Sequence, residues 1–282
     1  MQTFARFNPS WRVVVLSQRS AASLLGSLLP PHLASLRPRF HQSELVRAAV
    51  LLKCGGVYLD ASTFFTSFGV LDRMYDEMLS SGHEMRAYTH PFHSSIICTW
   101  FLMAVPEAQF LRQWHALLSA YWATRSTVAI PVLKHPLFSH ASRNATAALQ
   151  RMGSHGYLMA YCALLSVQEF DEWRRGRWRR SVLVTEGERA SPLNYSAIVS
   201  ASCKSQTGRP HECIRATMYA PPLSRGHLDL HTALKSNPGP FQKLTHLTKP
   251  AFLPASGNFS LNDVPIGSLL GQLLRGDLAS GV

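Results

Sequence analysis

Ser43–Thr63, SELVRAAVLLKCGGVYLDAST, joins an apolar run to two glycines, a short β-rich run and one carboxylate. The run predicts a buried helix over Glu44–Lys53, with Ser43 as N-cap and Glu44 set against the positive end of the helix dipole. Gly55-Gly56 ends it, because glycine takes positive φ without steric cost. Val57–Asp60 then reads as a strand. Asp60 is the only acid between Glu44 and Asp72. A carboxylate at the end of a buried strand needs a positive partner. Arg47 shares a helix face with Glu44 and is the natural counter-charge for Asp60, Glu44 or a phosphate. Two readings stay open. Asp60 is a strand-end residue paired with Arg47, or it holds a hard divalent cation whose other ligands are substrate phosphates and water. In the second reading Ser62 adds a hydroxyl or holds a metal-bound water.

Working outward, Trp11–Leu16 (WRVVVL) is short and β-branched and predicts a buried strand. Ser23–Leu29 predicts a short helix stopped by Pro30-Pro31. Val70–Ser80 has amphipathic helical spacing, and Met85–Thr89 and Ile96–Val105 read as strands. Across Glu107–Thr124, Phe110, Leu111, Trp114, Leu118, Tyr121 and Trp122 recur every three or four residues, a helix with one apolar stripe. Phe138–Met152 and His155–Phe170 read as further helices. This alternation predicts an α/β layered sheet. The expected organisation is an α/β core over residues 1–170, followed by a loop-rich, proline-rich part of the same domain over 171–282.

Of the 282 residues, 28 are Lys or Arg and 16 are Asp or Glu, a net charge of +12. That favours anionic partners such as nucleotide phosphates, anionic lipid or nucleic acid without choosing among them. The segment Asp171–Arg180 (DEWRRGRWRR) concentrates arginine around Trp173 and Trp178. It could stack and bind nucleic acid or rest on anionic membrane, but a solvated loop is the commoner outcome and nucleic acid is not expected as a partner. The five cysteines form no CxxC pair. Cys54 and Cys98 are expected as buried thiols, and Cys203 with Cys213 as a disulfide if the compartment is oxidising. The longest apolar run, Ile96–Val105, is half of the ~20 residues a span needs, and Met1–Ser17 does not read as a signal peptide.

The ordered set Ser43-Glu44, Arg47, Gly55-Gly56, Tyr58 and Asp60-Ala61-Ser62 resembles the core motif of the capsular polysaccharide synthesis proteins and the related DXD-containing glycosyltransferases. Phe7-Asn8-Pro9-Ser10-Trp11 is similar to their asparagine-proline lead into a strand. Thr99–Ala104 resembles their aromatic strand, and Gln242-Lys243-Leu244-Thr245 a late lysine-leucine-threonine element. The resemblance implies a GT-A-like fold and transfer of a sugar from a nucleotide-sugar donor to a glycan or other hydroxyl acceptor, with retention. Asp60 and Ser62 would hold Mn²⁺ or Mg²⁺, which stabilises the departing phosphate as a Lewis acid. Glu44, Arg47, Gly55, Gly56, Tyr58, Ser62 and Lys243 would bind the donor, with Lys243 a point charge for the diphosphate.

The same resemblance sets His135 and His140 near the acceptor. Were the reaction inverting, Asp171 or Asp229 would be the base. Ser62 stands where a second acid completes the DXD. Relatives carry a strand before the asparagine-proline element, so the resemblance implies that this strand, and any N-terminal membrane anchor, are missing here. Eukaryotic relatives act in the Golgi and bacterial ones in the cytoplasm. The alternatives are an inactive sugar- or nucleotide-binding relative and a basic nucleic-acid-binding protein.

Overall fold

In a computed structural model of the chain, the described residues form sixteen helical or strand segments. The structure describes residues 2–60, 63–65, 67–90, 93–125, 127, 132, 135–138, 147, 159–170, 173, 176–185 and 241–243. They fall into two compact units, a larger one within 14–59 and 75–187 and a smaller one within 1–13, 60–74 and 188–282.

In the larger unit, the periodic aromatic run forms α5 (Gln109–Trp122), and Phe110, Leu111, Trp114, Leu118, Tyr121 and Trp122 are all buried. α5 packs on α3 (Phe40–Cys54) and on α6 (Met159–Gln168). All ten residues of α6 are buried, as expected of a helix apolar on every side. The Trp114 indole N–H donates to the Ala160 carbonyl at 3.2 Å, which gives its polar edge a partner in the core. α3 and α6 also pack on the sheet, both against β4 (His93–Ala104).

That sheet has the order β1-β4-β3-β5, with β1 at Gly56–Leu59, β3 at Met85–His90 and β5 at Val182–Thr185. β4 runs antiparallel to both neighbours, while β3 and β5 are parallel. β1, β3 and β5 therefore point the same way and end on one edge. A mixed α/β sheet with flanking helices bears out the α/β expectation. Tyr88 of β3 and Trp100 of β4 stack at 5.4 Å and 10°, one of the aromatic cross-strand contacts that hold such a pair.

The smaller unit contains α1 (Gln2–Phe7), the two-stranded pair of β2 (Thr63–Phe65) and β6 (Phe241–Lys243), and the first turn of α4 (Val70–Ser80). Its apolar centre is Phe7, Phe65, Val70, Leu71 and Met74. Phe4 meets Phe65 edge-on at 5.2 Å.

Several expectations are corrected. Trp11–Leu16 forms no strand, and Val14 and Val15 are 57% and 68% exposed. A β-branched run needs a neighbour to pair with, and none is supplied among the described residues. Asn8–Trp11 instead clamps the start of α4. Asn8 Oδ1 accepts from the Leu71 N–H at 3.0 Å, and Asp72 accepts from Ser10 Oγ and from the Trp11 indole N–H. The helix read as Glu44–Lys53 begins at Phe40, so Ser43 is not its N-cap. The helix read over Ser23–Leu29 is α2 at Gln18–Leu25, capped by Ser17 and followed by a 3₁₀ turn at Gly26–Leu28. Cys54, at the end of α3, is exposed, whereas Cys98 is buried as expected. β1 is half-buried, so Asp60 does not end a fully buried strand. Cys203, Cys213 and most of the helix expected over Phe138–Met152 lie outside the described residues. No helix among the described residues is long and apolar enough to cross a membrane.

Candidate active site

α3 sets four polar side chains in order, and the early start of the helix puts His41 one turn before Glu44. His41 Nδ1 lies 2.8 Å from Glu44 Oε2. His41 is 0% exposed and Glu44 4%. Burial pushes the Glu44 carboxyl above its ordinary range, and the hydrogen bond and charge of His41, then the charge of Arg47, pull it partly back.

Arg47 is held on several sides. Its Nη1 donates to the Thr99 carbonyl on β4 at 2.5 Å, its Nε donates to the Ser43 carbonyl at 3.3 Å, and its guanidinium lies 4.4 Å from the Tyr58 ring centre. A planar guanidinium can reach two carbonyls with its fork while lying on a ring face, a geometry that lysine's point charge does not reproduce. Ser43 Oγ lies 3.4 Å from the Tyr58 hydroxyl and accepts from Arg47 Nη2 at 3.4 Å. Glu44, Arg47 and Tyr58 are thus brought together on α3 and β1.

Gly55 and Gly56 make the turn between those elements at φ +65° and +88°. A Cβ on Gly55 would meet Pro106 Cδ at 2.7 Å and the Ala104 carbonyl oxygen at 2.9 Å, so the turn is close-packed as well as left-handed.

Asp60 follows the last residue of β1, is half-exposed and belongs to the smaller unit. Its carbonyl accepts from the Thr63 N–H at 3.0 Å, closing a turn into β2. In the β2–β6 pair, Lys243 stands opposite Thr63. The late lysine element is therefore paired in register three residues beyond Asp60. Ser62 and His140 lie outside the described residues, as do Asp171 and Asp229.

His135 sits in the larger unit, its ring 5.1 Å from Tyr121 and 5.7 Å from Phe138, with Nε2 accepting from Arg125 Nη2 at 3.1 Å. Burial, then the Arg125 charge, lowers its pKa, so it is neutral at physiological pH. Sequence reasoning missed His41. Its i,i+3 spacing to Glu44 was the available signal, hidden by starting the helix at Glu44.

The profile of the capsular polysaccharide synthesis protein family matches residues 34–182, just over half of the 282-residue chain. The chain belongs to this family. Membership points to a role in capsular polysaccharide synthesis. The matched stretch contains Glu44, Arg47, Gly55, Gly56, Tyr58, Asp60 and His135, while Lys243 lies beyond it. No curated protein and no solved structure matches the chain.

Among the described residues no three His, Cys, Asp or Glu side chains gather into a metal site. Asp60 is a half-exposed carboxylate next to β1. A single carboxylate fits a hard cation whose shell would be completed by substrate phosphates and water.

Proposed function

We propose that this protein transfers a sugar from a nucleotide-sugar donor to a glycan hydroxyl, with retention, on a GT-A-like framework. The observation that carries the reading is Glu44: a carboxylate almost wholly buried beside Arg47, on the helix whose Gly55-Gly56 turn feeds the strand leading to Asp60. Burying a carboxylate is costly, and a binding site gives that cost a purpose. In this reading Glu44, Arg47 and Tyr58 take the sugar end of the donor. Asp60 and Ser62 would hold Mn²⁺ or Mg²⁺, and Lys243 contributes positive charge toward the diphosphate. When bound, the cation supplies Lewis-acid stabilisation of the phosphate that departs. The chain's own contribution is to orient the donor, through side chains already fixed by Thr99, Ser43 and Tyr58.

The test is hydrolysis of nucleotide-sugars with Mn²⁺ by wild type and Asp60→Asn. Turnover in wild type and its loss in the variant is the expected result. Equal rates in both proteins remove Asp60 from the mechanism. A second reading, a sugar- or nucleotide-binding relative without activity, is favoured by Ser62 standing where a second acid would be. Nucleotide binding without turnover in wild type would select it.

A further inference from the structure

His41 is a buried group that the roles above leave unused. Glu44 makes one hydrogen bond among the described residues, through Oε2, and its side chain is 5% exposed. Its other oxygen is an acceptor without a donor there. An ionised carboxylate accepts from a hydroxyl and repels a phosphate, so Glu44 suits the sugar half of a nucleotide-sugar and not its diphosphate half. The His41 ring meets Phe40 at 4.2 Å and Trp122 at 4.8 Å, and among the described residues its Nε2 has no partner. The hydrogen bond between Nδ1 and Glu44 is therefore the polar anchor of the ring among the described residues.

We propose that His41 is a positioning residue that fixes one oxygen of Glu44 and leaves the other for a sugar hydroxyl of the donor. This rests on the reading of Glu44 as a donor-sugar contact. Among the described residues, His41 and Arg47 of α3 and Cys162 of α6 act on Glu44, while the Trp122 ring of α5 packs on His41. Burial, and then the Glu44 charge, push the Cys162 thiol up to about 12, so it stays neutral. β1 contributes Tyr58, which meets Arg47. His41 and then Arg47 offset part of the burial that raises the Glu44 pKa, so removing His41 moves it further up.

The experiment titrates UDP-glucose, UDP-galactose and GDP-mannose, each beside free UDP or GDP, into wild type, His41→Phe and His41→Gln with Mn²⁺ across a pH series. In His41→Phe the sugar-nucleotide that wild type prefers is expected to bind about 10-fold more weakly near neutral pH. Its acid limb of affinity should move to higher pH, while the free nucleotide changes less than about twofold. His41→Gln, whose amide can still donate to Glu44, should recover most of the affinity and a limb near that of wild type. Equal losses for sugar-nucleotide and free nucleotide, or an unmoved limb, overturn the inference and leave His41 as packing. If wild type binds sugar-nucleotides no better than free nucleotides, the inference falls while Asp60-dependent turnover can still stand. If it binds neither, both fall.

Discussion

The two units fix their candidate residues by different means. In the larger, Arg47 is held through its side chain by a carbonyl on β4, a carbonyl on its own helix and the Tyr58 ring, inside a core that includes Trp114 and Trp122. In the smaller, Asp60 and Lys243 are placed by backbone, through one turn and a pair of three-residue strands. A two-stranded pair of that length has little stability of its own. In the proposed function, the side chains that would meet the sugar lie on the packed unit, and those that would meet the diphosphate, which charge attracts from any direction, lie on the lightly built one. Native-state exchange should find the β2–β6 amides opening at a much lower free energy than those of β4.

The hardest blow to the larger unit alone is Gly55→Ala. The added Cβ meets Pro106 and the Ala104 carbonyl below 3.0 Å at positive φ, so a loss of about 3 kcal/mol is expected in denaturant unfolding. Gly56→Ala shares the positive φ but has open space around its Cβ, and should cost about 1 kcal/mol. Equal costs would show that conformation, and not the close approach to Pro106, governs the turn.

Next in size is Arg47→Lys. The variant keeps the charge but loses the planar contact with Tyr58 and the fork that reaches Thr99 and Ser43 together. Donor KM is expected to rise about 10-fold, with a stability loss of about 1–2 kcal/mol. A variant that binds donor like wild type would mean that charge alone matters in the packed unit too, and the contrast between the units would fail.

Glu44→Gln separates stability from function. The folded protein holds the Glu44 proton more tightly than the unfolded chain does, because burial raises its pKa from 4.5. Well above the raised value the buried charge is a fixed cost. As pH falls through the raised value toward 4.5, the folded state takes up the proton first and this cost fades, and below 4.5 no slope remains. The stability of wild type relative to Glu44→Gln should therefore rise as pH falls through that window, with the variant at least as stable at neutral pH while binding donor more weakly. A difference that does not vary with pH would contradict the raised pKa.

The sequence disclosed elements whose periodicity belongs to them alone. Val70–Ser80 matches α4 at both ends, and the α5 stripe is buried as its spacing requires. It misled where the partner is distant. Trp11–Leu16 has the composition of a strand, but a strand exists only by pairing. Ser43 has the composition of an N-cap, yet α3 starts at Phe40, where the His41 and Gln42 N–H groups already bond to the carbonyls of Pro38 and Arg39. That shift of one turn hid His41. The motif order made Glu44, Arg47, Tyr58 and Asp60 legible as candidates, but not how Arg47 is held, since Thr99 is brought to it only by the β1–β4 pairing.

The smallest expected effect tests whether the units are separate at all. Asn8 is 1% exposed and its Oδ1 takes the Leu71 N–H, one of the orphan donors at the start of α4. Its Nδ2 is buried without a partner among the described residues. Asn8→Ala removes a helix cap worth about 1 kcal/mol but also removes that orphan, so the net loss should fall at or below that value. The loss should be local. Exchange at the Leu71 amide is expected to quicken, while the Gly55 amide, bonded to the Leu51 carbonyl in the larger unit, keeps its protection. If both amides lose protection equally, the chain opens as one cooperative block. A lightly held diphosphate end and a rigid sugar end would then no longer be independent, and the division of labour argued from their construction would have to be abandoned.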